Sequence, residues 1–94
     1  MKEKLYEYKA EIQGEESGAY VPFPFDLRAE FGRGRIKARA TFDGEPYDGS
    51  VVNMGVKNPD GSICYIIGIT KAVRQKIGKG PGDTVSVTIR ERPA

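Results

Sequence analysis

Three basic side chains alternate along one short segment of the sequence. Arg35, Lys37 and Arg39 occupy every second position of RIKARATF, residues 35–42, so a β-strand would project all three from one face. Guanidinium and ammonium groups spaced along a sheet face can bind phosphates, with an affinity that falls steeply as salt rises. The pattern indicates a candidate phosphate or nucleic-acid contact. The alternative is a solvated strand face whose charges prevent pairing with another chain.

Lys79 and Arg90 complete this candidate set. Arg90 is on the outer side of TVSVTIRER, residues 84–92, and it approaches the first three basic residues, together with Arg92, if the two alternating segments pair. Lys79 opens the glycine-rich segment KGPGDT, residues 79–84, whose backbone N–H groups could cradle a phosphate. A P-loop, however, needs Gly-Lys-Ser/Thr at the start of a helix, and this segment precedes a strand. An ordinary turn is therefore expected there.

Three carboxylates are grouped in the segment that follows the basic strand. Asp43, Glu45 and Asp48 are of the type that holds a cation or performs acid–base catalysis. Aspartate is also favoured in hairpin turns for purely conformational reasons. We expect a turn rather than a catalytic site.

The single cysteine and the tyrosines have structural explanations as well. Cys64 lies in the apolar segment ICYIIGI, and a packed thiol is expected, since a reactive one needs exposure and a nearby base. Tyr6 and Tyr8 share the inner side of the first predicted strand, which favours core packing with the hydroxyls at the rim. Stacking of tyrosines on bases is the alternative.

Composition excludes several common chemistries. The chain has no histidine and one cysteine, which removes the usual zinc ligand sets and the Ser-His-Asp and Cys-His catalytic arrangements. A net charge of +2 is too small to indicate nucleic acid by itself. The sequence therefore predicts no catalytic residue, no metal site and no cofactor.

The length of 94 residues suits a single domain, residues 1–94. The longest apolar runs are too short to cross a bilayer, so no membrane association is expected. The N-terminal MKEKLYEYKAEI lacks the apolar core of a signal peptide. Because a lone cysteine cannot form an internal disulfide, we expect a cytoplasmic protein, either a monomer or a homodimer.

Alternation of apolar and polar residues predicts six short strands. They comprise residues 5–13, 19–23, 35–42, 45–55, 63–69 and 84–92. Asp43-Gly44 is a strong signal for a two-residue hairpin turn. Gly49 indicates a bulge or bend, and Pro22 indicates an edge position or a bulge.

Two short helices are predicted between these strands, at residues 24–31 and 71–77. Pro24 suits the first turn of one helix, and Thr70 suits the N-cap of the other. Each helix is followed by a glycine that can end it.

The two helices belong to a repeated phrase. FPFDLRAEFG, residues 23–32, and ITKAVRQKIG, residues 69–78, match at apolar, arginine and glycine positions, namely Leu27 with Val73, Arg28 with Arg74, and Gly32 with Gly78. Each copy forms a strand–helix–strand unit, about residues 19–42 and 63–91. The repeat predicts pseudo-twofold symmetry within one chain. The alternative is coincidence, since short amphipathic helices ending in glycine are common.

The second copy, TKAVRQKIG followed by GDTV, resembles the strand–helix–strand unit of AbrB/MazE-type swapped-hairpin barrels. That resemblance implies a double-split β-barrel and a relation to DNA-binding transcription regulators and antitoxins. Over nearly its whole length, in phrases such as GAYVPFPFDLRAEFG and YIIGITKAVRQKIGK, the chain is similar to short bacterial and archaeal proteins known only as a domain of unknown function. We therefore expect an all-β fold, a small six-stranded double-split-type β-barrel with two short helices and internal pseudo-twofold symmetry.

Three functional hypotheses follow. The first is a non-catalytic module that binds a protein or a small-molecule ligand. The second is a DNA-binding regulator of the AbrB/MazE type, in which the five basic side chains contact phosphates. The third is a small enzyme that uses carboxylate or tyrosine acid–base chemistry.

Overall fold

The computed structural model describes residues 4–92 as one curled antiparallel sheet of seven strands with two short helices. The elements are β1 (Leu5–Glu11), β2 (Gln13–Glu15), β3 (Gly18–Phe23), α1 (Leu27–Phe31), β4 (Ile36–Phe42), β5 (Glu45–Val52), β6 (Tyr65–Gly68), α2 (Lys71–Ile77) and β7 (Thr84–Glu91). The strand order is β1-β7-β4-β5-β6-β3-β2. Residues 1–3, where the charged N-terminal segment begins, and residues 93–94 lie outside the described part. The expected mainly β class is confirmed.

The two edge strands of the sheet, β1 and β2, are consecutive in the chain. The sequence predicted one strand over residues 5–13, but the structure divides it at the buried Ile12. The Ile12 N–H donates to the Asp83 carbonyl at 2.9 Å, and the Gly82 N–H donates to the Ile12 carbonyl at 2.8 Å. Because β1 pairs with β7 and β2 pairs with β3, one length of chain joins both ends of the strand order. The sheet must therefore curl, and seven strands replace the predicted six.

The apolar core lies on the inner face of this curled sheet. Alternate residues point inward, as the period of two requires. The largest contribution comes from β4 and β7, whose inward apolar residues are all buried, namely Ile36, Ala38, Ala40, Phe42, Val85, Val87 and Ile89. Leu27 of α1 and Val73 of α2 are buried against the same core. The alternation predicted the inward face of both strands correctly.

The helices begin and end where side-chain caps and glycines allow. α1 is shorter than the predicted residues 24–31, because Asp26 accepts a hydrogen bond from the Ala29 N–H at 3.2 Å and so caps the helix two residues after Pro24. Thr70 caps α2 as predicted. Both helices end at the predicted glycines, which adopt left-handed φ angles of 70° and 69°.

The hairpin between β4 and β5 has the predicted turn but not the predicted bulge. Asp43 and Gly44 have φ angles of 49° and 87°, as a tight two-residue turn requires. Gly49 pairs regularly with Ala38 in an uninterrupted ladder, so the bulge prediction was wrong. The glycine instead leaves room for a ring, since a Cβ there would lie 2.5 Å from Cε2 of Tyr47. β5 then ends at Val52 rather than at residue 55.

The two predicted strand–helix–strand units correspond to β3–α1–β4 and β6–α2–β7. Their first strands pair with each other, as do their last strands, both antiparallel. Within residues 4–92, neither helix has the length and apolar character needed to cross a membrane.

Candidate phosphate-binding surface

Basic side chains gather on the outer face of β4 and β7. This surface, called the basic face below, consists of Lys37, Arg39 and Arg90 together with Arg35, just before β4, and Arg92, just after β7. Arg39 lies directly opposite Arg90 in the ladder. The Arg92 N–H donates to the Lys37 carbonyl at 2.9 Å, which places Arg92 beside Lys37. Residues opposed in this way have Cβ atoms about 5 Å apart. The structure thus brings together four of the five predicted basic residues.

Part of this positive charge is neutralised by one carboxylate on β5. Asp48 Oδ1 lies 3.2 Å from Arg39 Nε, and Asp48 Oδ2 lies 3.9 Å from Arg92 Nη1. Both side chains of the Arg39 pair are about half exposed, so the pair contributes little stability and can open for another anion. Within residues 4–92, neither Arg35 nor Lys37 makes an ion pair, and the face keeps an excess of positive charge.

Arg92 was expected near these residues together with Arg90, but it is not in the predicted set of five contacts. The signal was present in the sequence as RER, residues 90–92. Arg92 joins the basic face only through the pairing of β4 with β7, which brings Arg92 beside Lys37. Asp48 was assigned to a turn and proved to be a partner of the basic face.

Lys79 does not share the basic face. Its Nζ lies 2.6 Å from Asp43 Oδ2 and donates to the Thr84 carbonyl at 2.6 Å. Thr84 begins β7, about 20 Å along the strand from Arg90 at the usual rise per residue. The following loop is closed on itself, because the Gly80 N–H donates to Asp83 Oδ2 at 2.9 Å. The expected ordinary turn is present, and Lys79 ties it to the β4–β5 hairpin.

The grouped carboxylates are separated by the fold. Asp43 pairs with Lys79, Glu45 Oε2 lies 3.2 Å from Lys76 Nζ, and Asp48 contacts the basic face. Hydrogen bonds from Lys79 and from the Ser86 N–H lower the pKa of Asp43. No group of three or more potential metal ligands occurs in the part of the chain that the structure describes.

Two tyrosine hydroxyls are held at the rim of the core, as expected. Tyr6 donates a short hydrogen bond to Glu30, and Tyr8 donates to the Pro22 carbonyl at 2.9 Å. Burial, helped by Glu30, raises the pKa of Tyr6 to about 12, and burial raises the pKa of Tyr8. The Tyr6 hydroxyl and Lys4 lower the pKa of Glu30. These shifts move the pKa values of Tyr6 and Glu30 further from pH 7. They therefore favour a structural role for both side chains over proton transfer at that pH.

Cys64 is packed into the structure. Cys64 is 9% exposed, and burial raises the pKa of its thiol. Burial disfavours the thiolate, which is the reactive form of cysteine. The structure therefore agrees with a packed structural thiol.

A second concave surface lies between α1 and the loop that precedes β6. This groove has a volume of about 640 Å³. Phe25 and Ile63 line it and are partly exposed, and Arg28 contributes a charge. The Phe25 ring lies 4.9 Å from the ring of Tyr6 and 5.3 Å from that of Phe23, which fixes its position. Nothing in the sequence pattern predicted this groove, because its walls come from segments about 35 residues apart.

These features define a small, mainly β domain with a candidate anion-binding surface. The chain belongs to the DUF1905 family, a domain of unknown function, whose family model matches residues 8–89. No curated protein sequence matches the chain. The expected membership of an uncharacterised domain family is confirmed. The matched range includes Arg35, Lys37 and Arg39 and ends just before Arg90.

Proposed function

We propose that the domain is a non-catalytic binding module whose basic face contacts the phosphate backbone of nucleic acid. The observation that carries this proposal is the cross-strand array in which Arg39 lies opposite Arg90 while Lys37 lies beside Arg92. Two rows of cations on paired strands form a fixed, extended pattern, because the ladder sets the backbone positions. Such a pattern suits a string of negative charges better than one small anion.

The side chains of the array suit phosphate oxygens. Guanidinium groups bind phosphate through two parallel N–H donors, and lysine acts as a mobile point charge. The next row adds a hydroxyl pair, since the Oγ1 atoms of Thr41 and Thr88 lie 2.6 Å apart. One of the two hydroxyls donates to the other, which leaves the second proton available to a phosphate oxygen.

The same face lacks the groups that would recognise bases by stacking. The outward residues of β4 and β7 are basic or hydroxylated, with no aromatic ring among them. Contacts to the sugar–phosphate backbone position a protein but carry no sequence information. We therefore expect binding that depends on salt and is nearly independent of sequence.

The fold adds support. We propose that the curled sheet is a double-split barrel of the AbrB/MazE kind, and that its two strand–helix–strand units form an internal repeat. The antiparallel pairing of equivalent strands, β3 with β6 and β4 with β7, agrees with such a repeat. Proteins of the AbrB/MazE type bind DNA, which raises the expectation for nucleic acid.

The test is a titration of a fluorescent 20-base-pair duplex with hydroxyl ends, followed by anisotropy at several salt concentrations. Five phosphate contacts, one for each cation of the basic face, predict that affinity falls about 500-fold between 50 and 200 mM salt. Replacing Arg35 and Lys37 together by alanine should make the slope of log affinity against log salt shallower by about two.

The matched control replaces Lys57 and Lys71 by alanine, which changes the net charge equally. Both lysines are exposed and lie away from the basic face. This control should keep the wild-type slope. Absence of binding at low salt, or equal slopes for the two double variants, would contradict the proposal.

A small-molecule ligand is the second candidate, favoured by the groove beside Phe25. Its volume of about 640 Å³ is within the range of ordinary ligand sites, and its walls combine apolar groups with the polar side chains of Arg28 and Asn58. A ring over Phe25 with a carboxylate toward Arg28 fits this lining. Screening planar aromatic carboxylates by thermal shift tests the idea, with Ile63→Arg as the blocking variant. If no compound binds saturably, or if the blocked variant binds equally, this candidate is removed.

A further inference from the structure

A cleft opens at one end of the basic face, where the segment after α1 meets the last residues of β7. Its volume is about 330 Å³, and it is lined by Arg33, Arg35, Ile36, Lys37, Glu91 and Arg92. Four of these six residues are basic and one is acidic. Cations therefore converge on a concave space here, whereas on the rest of the face they lie along a sheet.

Arg92 is incompletely satisfied in this cleft. Its Nη2 donates to the Gly49 carbonyl at 3.3 Å, and its Nη1 lies 3.9 Å from Asp48. Its Nε is buried and has no hydrogen-bond acceptor among the described residues. A buried donor without an acceptor is costly, and Arg92 is one of the residues that line the cleft, so an anion there would supply an acceptor if the guanidinium turned toward it.

We propose that this cleft holds a terminal phosphate monoester, such as the 5′-phosphate of a nucleic acid strand whose backbone lies on the basic face. The strand in this proposal rests on the function proposed above. A monoester carries nearly two negative charges and three acceptor oxygens at pH 7, whereas a backbone diester carries one charge. Convergent cations favour the compact dianion, and the flat array favours the string of diesters.

Glu91 gives the proposal a sharp consequence. Its carboxylate lines the cleft and forms an ion pair with Arg33. A bound phosphate would compete with Glu91 for that arginine and would be repelled by the carboxylate. Removing the charge of Glu91 should therefore tighten binding of the terminal phosphate, a gain that damage to the fold would not produce.

The experiment compares two otherwise identical 20-base-pair duplexes, one with 5′-hydroxyl and one with 5′-phosphate ends, by anisotropy at 50 mM salt. The ratio of the two affinities is the readout. We expect the wild type to prefer the phosphorylated duplex about fivefold, and Glu91→Gln to raise that preference about fivefold further. Arg92→Ala should bring the ratio close to one.

Glu45→Gln is the matched control. Glu45 is also a carboxylate in an ion pair, with Lys76, but it lies at the opposite end of β5 from the cleft. Its substitution changes the net charge equally, so both duplexes should bind slightly tighter while the ratio stays at the wild-type value. Circular dichroism of each variant checks that the fold is retained.

The outcomes separate this inference from the proposed function. If the hydroxyl-ended duplex binds with the expected salt dependence but the ratio is one in both the wild type and Glu91→Gln, the cleft proposal is overturned and the function stands. If neither duplex binds, both proposals fail. If only the phosphorylated duplex binds and inorganic phosphate displaces it, the cleft is supported as a phosphate site and the backbone contact is overturned.

Discussion

Val21 lies directly opposite Ile67 in the pairing of β3 with β6, and Ile67 follows Val21 by 46 positions in the chain. The same separation relates the repeated segments that begin at residues 23 and 69. In a twofold arrangement, a residue on the axis must pair with its own equivalent. This pair therefore supports the proposed internal repeat.

A second pair, between β4 and β7, also joins residues that are equivalent in the proposed repeat. Ala40 lies opposite Ile89 where β4 meets β7, at a separation of 49 positions. The extra three positions arise in one loop, because six residues separate Gly78 from Val85 whereas three separate Gly32 from Ile36. In the proposed repeat, the two halves differ by one short insertion in the loop that carries Lys79.

The first prediction concerns the Val21–Ile67 pair. Both side chains are fully buried, so Ile67→Ala should lower the free energy of unfolding by about 2–5 kcal/mol in urea denaturation. Ile63→Ala makes the same chemical change at a residue that is 37% exposed, and it should cost about 1 kcal/mol or less. Equal losses from the two variants would show that the pair is not central to the core.

The second prediction concerns Arg74, which is the buried counterpart of the exposed Arg28. Arg74 Nε donates to the Ile69 carbonyl at 3.2 Å, and its Nη2 donates to the Glu16 carbonyl at 3.0 Å. It thereby holds the β2–β3 turn against α2. We expect Arg74→Ala to cost about 1–3 kcal/mol in urea unfolding, because it leaves carbonyls without donors.

Arg28→Ala is the control for Arg74, since each arginine stands four residues before the glycine that ends its helix. Arg28 is exposed, so its replacement should change stability by less than about 0.5 kcal/mol. A cost as large as that of Arg74→Ala would mean that burial does not distinguish the two arginines.

The third prediction is a pH dependence that originates at Asp43. The folded-state pKa of Asp43 is lowered, first by Lys79 and then by the Ser86 N–H. The resulting stabilisation is complete above the ordinary aspartate pKa of 3.8 and is lost as the pH falls through the lower folded value. Asp43→Asn keeps the positive-φ turn and an acceptor for Ser86 but removes the charge.

Urea unfolding at pH 7 and at pH 2.5 tests this expectation. Asp43→Asn should lose less than about 1 kcal/mol at pH 7 and should show a smaller loss of stability on acidification than the wild type. Lys79→Gln, which removes the first cause from the other side, should reproduce most of this flattening. An unchanged acid sensitivity in both variants would refute the assignment.

The fourth prediction uses the contact between Gly49 and Tyr47. A Cβ at Gly49 would lie 2.5 Å from the Tyr47 ring, so Gly49→Ala should cost about 1–3 kcal/mol as the ring is displaced. In a Tyr47→Ala background, the same change should cost nothing or should stabilise by up to about 1 kcal/mol, because alanine reduces the freedom of the unfolded chain. Additive effects in this double-mutant cycle would show that the ring is not the obstacle.

The sequence by itself determined the local structure of this protein. Alternation predicted the inner and outer faces of β4 and β7. Asp43-Gly44 predicted the turn between β4 and β5, and Thr70 predicted the cap of α2. These signals are readable because each acts within a few residues. The same locality explains the errors. Gly49 resembles a bulge signal until Tyr47 is seen over it, and the break at Ile12 exists because Gly82 and Asp83 bind its backbone from a distant loop.

Only the tertiary structure decided which charges act together. Arg35, Lys37 and Arg39 were adjacent through one strand, but Arg90 and Arg92 joined them through a strand pairing about 50 residues away. Lys79 is not part of the basic face, because the turn of the β4–β5 hairpin lies against the loop that carries Lys79 and Asp43 forms an ion pair with it. Strand pairing depends on contacts across the whole chain, and a periodic pattern records only which face a residue occupies, not which strand lies beside it.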